Sequence, residues 1–194
     1  MIDDKDLSES KLRFILWEAL RGYTDDELFE LLPDDDVILR TMAAKVLQLR
    51  PSDHVFMRAL DLCSGEDDGL REIGAYILGQ LGLPALPYAD QSIPVLKRLL
   101  RDDEADVRAA AVAAIGHIGS SVPGGLREPD VIRLVISLAD DPVAMVRTCC
   151  AYALSSLAST SDVLLAIEKL RNDQDLDVRE WADFSSEQMQ SDGS

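Results

Sequence analysis

An all-α superhelix of about five helix pairs, preceded by one N-terminal helix, is the fold expected from this sequence, and three observations carry it. An arginine recurs as Arg40, Arg71, Arg108, Arg147 and Arg179, at intervals of 31, 37, 39 and 32 residues. Self-similarity at such a period marks stacked helix pairs. Around each arginine the register is constant. The residue before it is aliphatic (Leu39, Leu70, Val107, Val146, Val178) and the third after it is small (Ala43, Gly74, Ala111, Cys150, Ala182). The seventh after it is aliphatic (Leu47, Leu78, Ile115, Leu154) until Ser186 breaks the series. Those offsets share one face of a helix, and the small residue lets that helix approach its neighbour closely. Finally, an acidic turn precedes each arginine. Asp34, Asp102, Asp141 and Asp173 stand six residues ahead, while the second copy has Gly65 followed by Glu66. Aspartate there can cap the following helix, and arginine can bond a neighbouring turn's aspartate or carbonyl, linking the repeats as a ladder.

The elements follow in order. Residues 1–7 are expected to be flexible, and the solenoid to occupy 8–189. Ser8 is placed to cap a first helix reaching Arg21, with Leu12, Ile15, Leu16, Ala19 and Leu20 as its apolar face covering the open end of the stack. Thr24 to Glu27 has the pattern of a capping box opening a short helix over 25–32. Pro33 and three aspartates then turn the chain into the first arginine-bearing helix, ending at Leu49. The second pair is expected over 53–63 and up to about Leu81. Pro84 and Pro87 make 82–90 a longer connection. The third pair is expected at 92–101 and 104–118, and Pro123, Gly124 and Gly125 make 119–128 a second long connection. Pro129 suits the first turn of the next outer helix and Pro142 that of its partner, ending near Ser159. Ser161 caps the helix 162–171. The last helix, 176–189, carries Asp183, Ser186 and Glu187 at apolar positions, as a capping repeat does, and 190–194 is expected to be a disordered tail.

Charge narrows the possible partners. The chain carries 36 acidic against 19 basic residues, a formal net charge of −17. That argues against nucleic acid, whose phosphates require cationic neutralisation. It fits either a partner with a basic surface or simple solubility. MIDDKDLSES lacks the basic and apolar regions of a signal peptide, and no apolar run suits a membrane span, so a cytoplasmic location away from membranes is expected. Cys63, Cys149 and Cys150 include no CxxC spacing and suggest neither a disulfide framework nor a zinc site.

The repeated motif, aspartate, five residues, arginine, two residues, a small residue, three residues, an aliphatic residue, resembles HEAT repeats, particularly the short bacterial type grouped with phycobilisome-lyase-like repeats. The resemblance covers about residues 24–189. Asp25-Asp26-Glu27-Leu28-Phe29, Val46-Leu47-Gln48-Leu49-Arg50 and Ile73-Gly74-Ala75-Tyr76-Ile77-Leu78-Gly79-Gln80 resemble the N-terminal half of YibA-type bacterial HEAT proteins. Those are associated with polymorphic, Rhs-type toxin loci and regarded as immunity proteins. The resemblance therefore implies a non-enzymatic module that binds a cognate toxin with a basic surface. A general scaffold is the alternative, and a bilin-lyase-like protein a third reading.

Two surfaces could serve such binding. The turns within helix pairs fall on one edge and form a carboxylate ridge, Asp34–Asp36, Glu66–Asp68, Asp102–Glu104, Asp140–Asp141 and Asp173, Asp175 and Asp177. Helix capping accounts for one acid per turn; the surplus suits electrostatic docking. The resemblance places the arginine-bearing helices on the concave face. Offsets +1, +2 and +5 would then point away from the core, giving Met42, Glu72, Ile73, Tyr76, Cys149, Tyr152, Glu180, Trp181 and Phe184. The aromatics among these are either interface anchors or core between helices. The partner-binding set drawn from both surfaces is Glu72, Tyr76, Asp102, Asp103, Tyr152, Glu180, Trp181 and Asp183.

Catalytic signatures are sparse. His54 and His117 lie in neither HExxH nor a His-Glu dipeptide, which disfavours the iron hydroxylases built on HEAT repeats. There is no P-loop, GxGxxG or GxSxG motif. No cofactor, metal or catalytic residue is expected.

Overall fold

The computed structural model describes residues 4–192, and the helices are α1 (Asp4–Leu20), α2 (Asp25–Glu30), α3 (Val37–Gln48), α4 (Asp53–Cys63), α5 (Asp68–Gln80), α6 (Ala89–Leu99), α7 (Ala105–Ser120), α8 (Pro129–Ser137), α9 (Ala144–Leu154), α10 (Ser161–Arg171) and α11 (Leu176–Asp192). A 3₁₀ turn, Leu138–Asp140, follows α8. Residues 1–3 and 193–194 lie outside the described residues, and with them the ends of the stretches 1–7 and 190–194 expected to lack order. α1 and α11 extend into both stretches, so the first helix starts before Ser8.

The arginine-bearing helices α3, α5, α7, α9 and α11 pack on one another in sequence, and α1 packs on α3. The partner helices α2, α4, α6, α8 and α10 form the outer layer. One continuous apolar core lies between the layers, with Leu28, Leu47, Ile77, Leu96, Ile115, Leu154 and Leu170 fully enclosed. This is a stack whose stability is a sum of neighbouring-pair contacts.

The arginines and the aspartates six residues before them build the expected ladder. Arg71 donates Nε and Nη2 to both carboxylate oxygens of Asp102 (2.8 and 2.9 Å). Arg108 does the same to Asp141 (2.8 and 3.1 Å), and Arg147 to Asp173 (2.7 and 2.9 Å). Each Nη1 turns back onto its own turn, where Glu66, Asp102 and Asp141 offer carbonyls at 2.7 to 2.8 Å. Each arginine therefore closes its own turn and joins the next one. Where Gly65 replaces the aspartate, Arg40 donates instead to the Gly69 carbonyl and to Glu72.

The helix caps differ from expectation. The aspartate at −6 accepts from the amide two residues on, as in Asp34 to Asp36, Asp102 to Glu104, Asp141 to Val143 and Asp173 to Asp175. The capping side chain sits at −4 instead: Asp36, Asp67 and Asp175 accept from first-turn amides of α3, α5 and α11. Glu104 and Val143 hold that position before α7 and α9 without a side-chain cap.

Other boundaries moved for physical reasons. α9 starts at Ala144, leaving Pro142 outside the helix, and ends at Leu154. It stops because the second long connection folds against the chain that follows: the Leu126 amide donates to the Ser156 carbonyl (3.0 Å) and the Ala158 amide to the Leu126 carbonyl (2.9 Å). α6 starts at Ala89, so Pro94 lies inside it, on the solvent side where the carbonyl it leaves unbonded can face water. In α1, Leu12 and Ile15 are exposed; Leu16, Trp17 and Leu20 face the stack instead.

Candidate functional site

The turn edge holds fewer free carboxylates than its composition suggests. Asp102, Asp141 and Asp173 are enclosed in the ladder, and their side chains keep only 11%, 5% and 11% exposure. The Arg71 hydrogen bonds hold the Asp102 carboxyl below the usual carboxylate range despite its burial, and Arg147 does so for Asp173. Burial pushes Asp141 up, but its bonds from Arg108 and the Val143 amide outweigh that and lower it. Asp36, Asp67 and Asp175 are caps. Asp35, Glu66, Asp68, Asp103, Glu104 and Asp177 remain exposed on the edge. Of the two ridge residues singled out from sequence, Asp103 therefore faces solvent, while Asp102 is a structural member of the ladder.

The inner layer carries a groove of about 340 Å³ between α3, α5, α7 and α9. Glu72, Tyr76, Asp106, Met145 and Cys149 line it, over a floor of alanines on α7. Glu72 faces Arg40 at 3.2 Å across adjacent helices. Burial pushes its carboxyl up, and the nearby guanidinium opposes that. Tyr76 is half-buried, and its carbonyl accepts from the buried Gln48 side chain (2.7 Å). Met42 and Ile73, expected to point outward, are instead buried between helices.

Further along the same layer the rings form a run. Tyr152 meets His117, with its hydroxyl 2.9 Å from Nδ1, and packs edge-on against Trp181; Trp181 in turn packs edge-on against Phe184. Trp181 is 41% and Phe184 48% exposed, and Glu180 stands beside them around a shallow hollow of about 240 Å³. Burial lowers the His117 imidazole and raises the Tyr152 phenol, in each case favouring the neutral form. Asp183, the last of the expected set, is tied to Arg171 (2.6 Å) on the side of α11 facing α10. The fold thus brings Glu72 with Tyr76, and Tyr152 with Glu180 and Trp181, on one layer.

His117, Asp106 and Met145 were not read from the sequence as members of this surface. The signal was present: offsets −2, +2, +5 and +9 from each arginine follow helical spacing and include Asp106, Met145, Cys149, Tyr152 and His117. Chemically, the surface offers ring faces and carboxylates, a combination that receives arginine and lysine side chains. The thiols are poor nucleophiles: burial pushes Cys63 up to about 12 and raises Cys149 and Cys150. Among the described residues no cluster of histidine, cysteine and carboxylates could hold a metal, and no helix is long and apolar enough to cross a membrane.

Known proteins share this architecture. The HEAT-repeat family pattern matches residues 26–116 and 93–185. Protein YibA of Escherichia coli K12 is 32% identical over 171 residues, which span 88% of this chain and 60% of that protein. The chain thus spans about three fifths of the length of its curated relatives. The X-ray structure of Escherichia coli YibA matches with a TM-score of 0.56 at 26% identity, over 92% of this chain and 77% of that one. A structure of Kap95p binding RanGDP matches at 0.69 and 19% identity, over 92% of this chain and 25% of that one. Computationally designed armadillo repeats for modular peptide recognition match at 0.55 and 16% identity, over 96% and 94%. At such identities the last two share the fold alone. The ladder motif, the two-layer stack and the family pattern agree: the chain belongs to the HEAT-repeat family and is related to YibA.

Proposed function

We propose that this chain is a non-enzymatic protein-binding module whose inner layer clasps a partner with a basic surface. The partner is a cognate bacterial toxin, a cationic nuclease domain, which the chain neutralises as an immunity protein by covering the surface that takes its nucleic acid. The carrying observation is the run His117, Tyr152, Trp181 and Phe184, half-open to solvent beside Glu180. Stacking alone calls for small or aliphatic residues on this layer, whereas a half-buried tyrosine next to an exposed tryptophan and phenylalanine suits an interface centre, and the carboxylates beside them suit its polar rim. The net charge of −17 adds long-range attraction for a cationic partner. The resemblance to YibA-type proteins of toxin loci supplies the class of partner.

The test is binding to, and growth rescue from, a toxin encoded beside this gene. Trp181→Ala and Tyr152→Ala are each expected to weaken binding by about 2 kcal/mol or more. Glu180→Lys and raised salt should slow association. Affinity indifferent to all three substitutions and to ionic strength would remove the inner layer from the interface. Tight binding to other proteins without any toxin rescue would favour a scaffold.

A further inference from the structure

On the opposite, outer layer, the geometry points to a binding site for a compact oligophosphate, such as a diphosphate group, in the groove between α6 and α8. In a strongly acidic chain, this groove gathers Lys97 and Arg98 from the last turn of α6, Arg101 just beyond it and Arg133 from α8, around an open volume of about 870 Å³. One carboxylate, Asp130, lines the same groove. It pairs with Arg133 and lies 3.7 Å from Lys97, so four cations share one anion.

Structural duties absorb only part of this charge. The C-terminal end of a helix favours cations, which accounts for Lys97 and Arg98. Arg98 also donates to the Cys63 carbonyl (2.8 Å) and to Ser64, which bolts α6 to the end of α4. Arg133 lies mid-helix in α8 and Arg101 beyond the end of α6, where neither reason applies. The Arg101 guanidinium makes no hydrogen bond or ion pair among the described residues. Arg98 is held by its bonds to Cys63 and Ser64, Arg101 is open, and a ligand would compete with the exposed Asp130 carboxylate for Lys97 and Arg133.

The chemistry selects a small, highly charged anion. Guanidinium forks match pairs of phosphate oxygens, and a diphosphate offers enough oxygens to engage cations from both helices at once. A long polyanion is disfavoured because it would run onto the acidic turn edge, where Asp103 and Glu104 follow Arg101 almost directly. The site stands apart from the inner layer, so it does not depend on the toxin-binding reading.

The experiment is calorimetric titration of the full chain with pyrophosphate at low ionic strength, repeated with ADP. Saturable binding of pyrophosphate or of ADP is expected; ADP tighter than pyrophosphate identifies an esterified phosphate as the better ligand. Arg101→Ala should weaken binding about tenfold, the loss of one charged hydrogen-bonding group. Asp130→Asn should tighten it by removing the competing carboxylate. Lys169→Ala, which removes a cation outside the groove, should leave it unchanged. Absence of binding to both ligands, equal weakening by Lys169→Ala and Arg101→Ala, or binding of polyglutamate but not of either phosphate compound would overturn the proposal.

Discussion

Asp141 shows how much one residue carries in this fold. Its carboxylate receives both Nε and Nη2 of Arg108 from the preceding helix pair, and it accepts the Val143 amide. Its carbonyl receives Nη1 of Arg147, which itself reaches on to Asp173. With both partners largely enclosed, Asp141→Ala leaves a guanidinium without its counter-charge, and the expected loss is about 3 kcal/mol of unfolding free energy. The ladder also sets a pH dependence. Asp102, Asp141 and Asp173 are all lowered in the folded chain, whereas unfolded aspartates titrate near about 3.9. Their contribution is therefore complete above the unfolded value and is lost as pH falls through the folded ones. The melting midpoint should hold from neutral pH to about 5 and drop below about 4, and Asp141→Asn should drop less steeply. A variant with the same steepness as the parent would detach Asp141 from the acid transition. The pairing itself was legible in the sequence, because both partners recur at fixed offsets. What each aspartate oxygen bonds was not, since a carboxylate at −6 and one at −4 look alike as letters, and only backbone geometry separates the turn from the cap.

At the scale of elements, the inner helices touch backbone to backbone. A Cβ on Gly79 of α5 would come within 2.6 Å of the Ala114 Cα on α7, and one on Gly119 of α7 would collide with the Ser156 carbonyl oxygen. Gly79→Ala would gain up to about 1 kcal/mol of helix propensity, yet the helices must separate to admit the methyl group. The expected balance is a loss of about 1–3 kcal/mol, measured by chemical denaturation. Gly22→Ala, where the nearest atom lies at an ordinary 3.5 Å, should change stability by no more than about 0.5 kcal/mol. Equal effects at the two positions would mean that α5 and α7 can relax freely. The small residue at +3 marks a point of close approach, and Gly74 does lie against Cys63 and Leu62 of α4. The tighter inner-layer approach at +8, through Gly79 and Gly116, is not legible in the sequence because Gln48 and Ser155 break that column. The early end of α9 was likewise hidden. It depends on Leu126 meeting the chain around Leu157, a contact between distant residues that no local pattern encodes.

Over the whole molecule, charge is sorted by surface. Carboxylates crowd the turn edge, rings and acids mark the inner layer, and cations gather outside on α6 and α8. The face of α11 turned away from α9 follows the same sorting: Asp183 and Glu187 stand where α5 has Ala75 and Gly79 and α9 has Ala151 and Ser155. The overall excess of acid was plain from composition, but its division was not, since the ladder removes Asp102, Asp141 and Asp173 from the surface while leaving Asp35, Glu66, Asp68 and Asp103 on it. The two populations should respond differently to salt. Ladder pairs are enclosed and little screened, whereas the edge carboxylates repel one another through solvent, over a Debye length that shrinks from about 30 Å at 0.01 M to about 3 Å at 1 M. Sodium chloride should therefore raise the melting midpoint, because it relieves repulsion without dissolving the ladder. A triple variant carrying Asp35→Asn, Asp68→Asn and Asp103→Asn should melt higher than the parent at low salt and respond less to added salt. The same variant should associate more slowly with a basic partner if the edge steers it, with little change in dissociation. A parent that melts lower as salt rises would show that exposed ion pairs, and not edge repulsion, dominate its surface electrostatics.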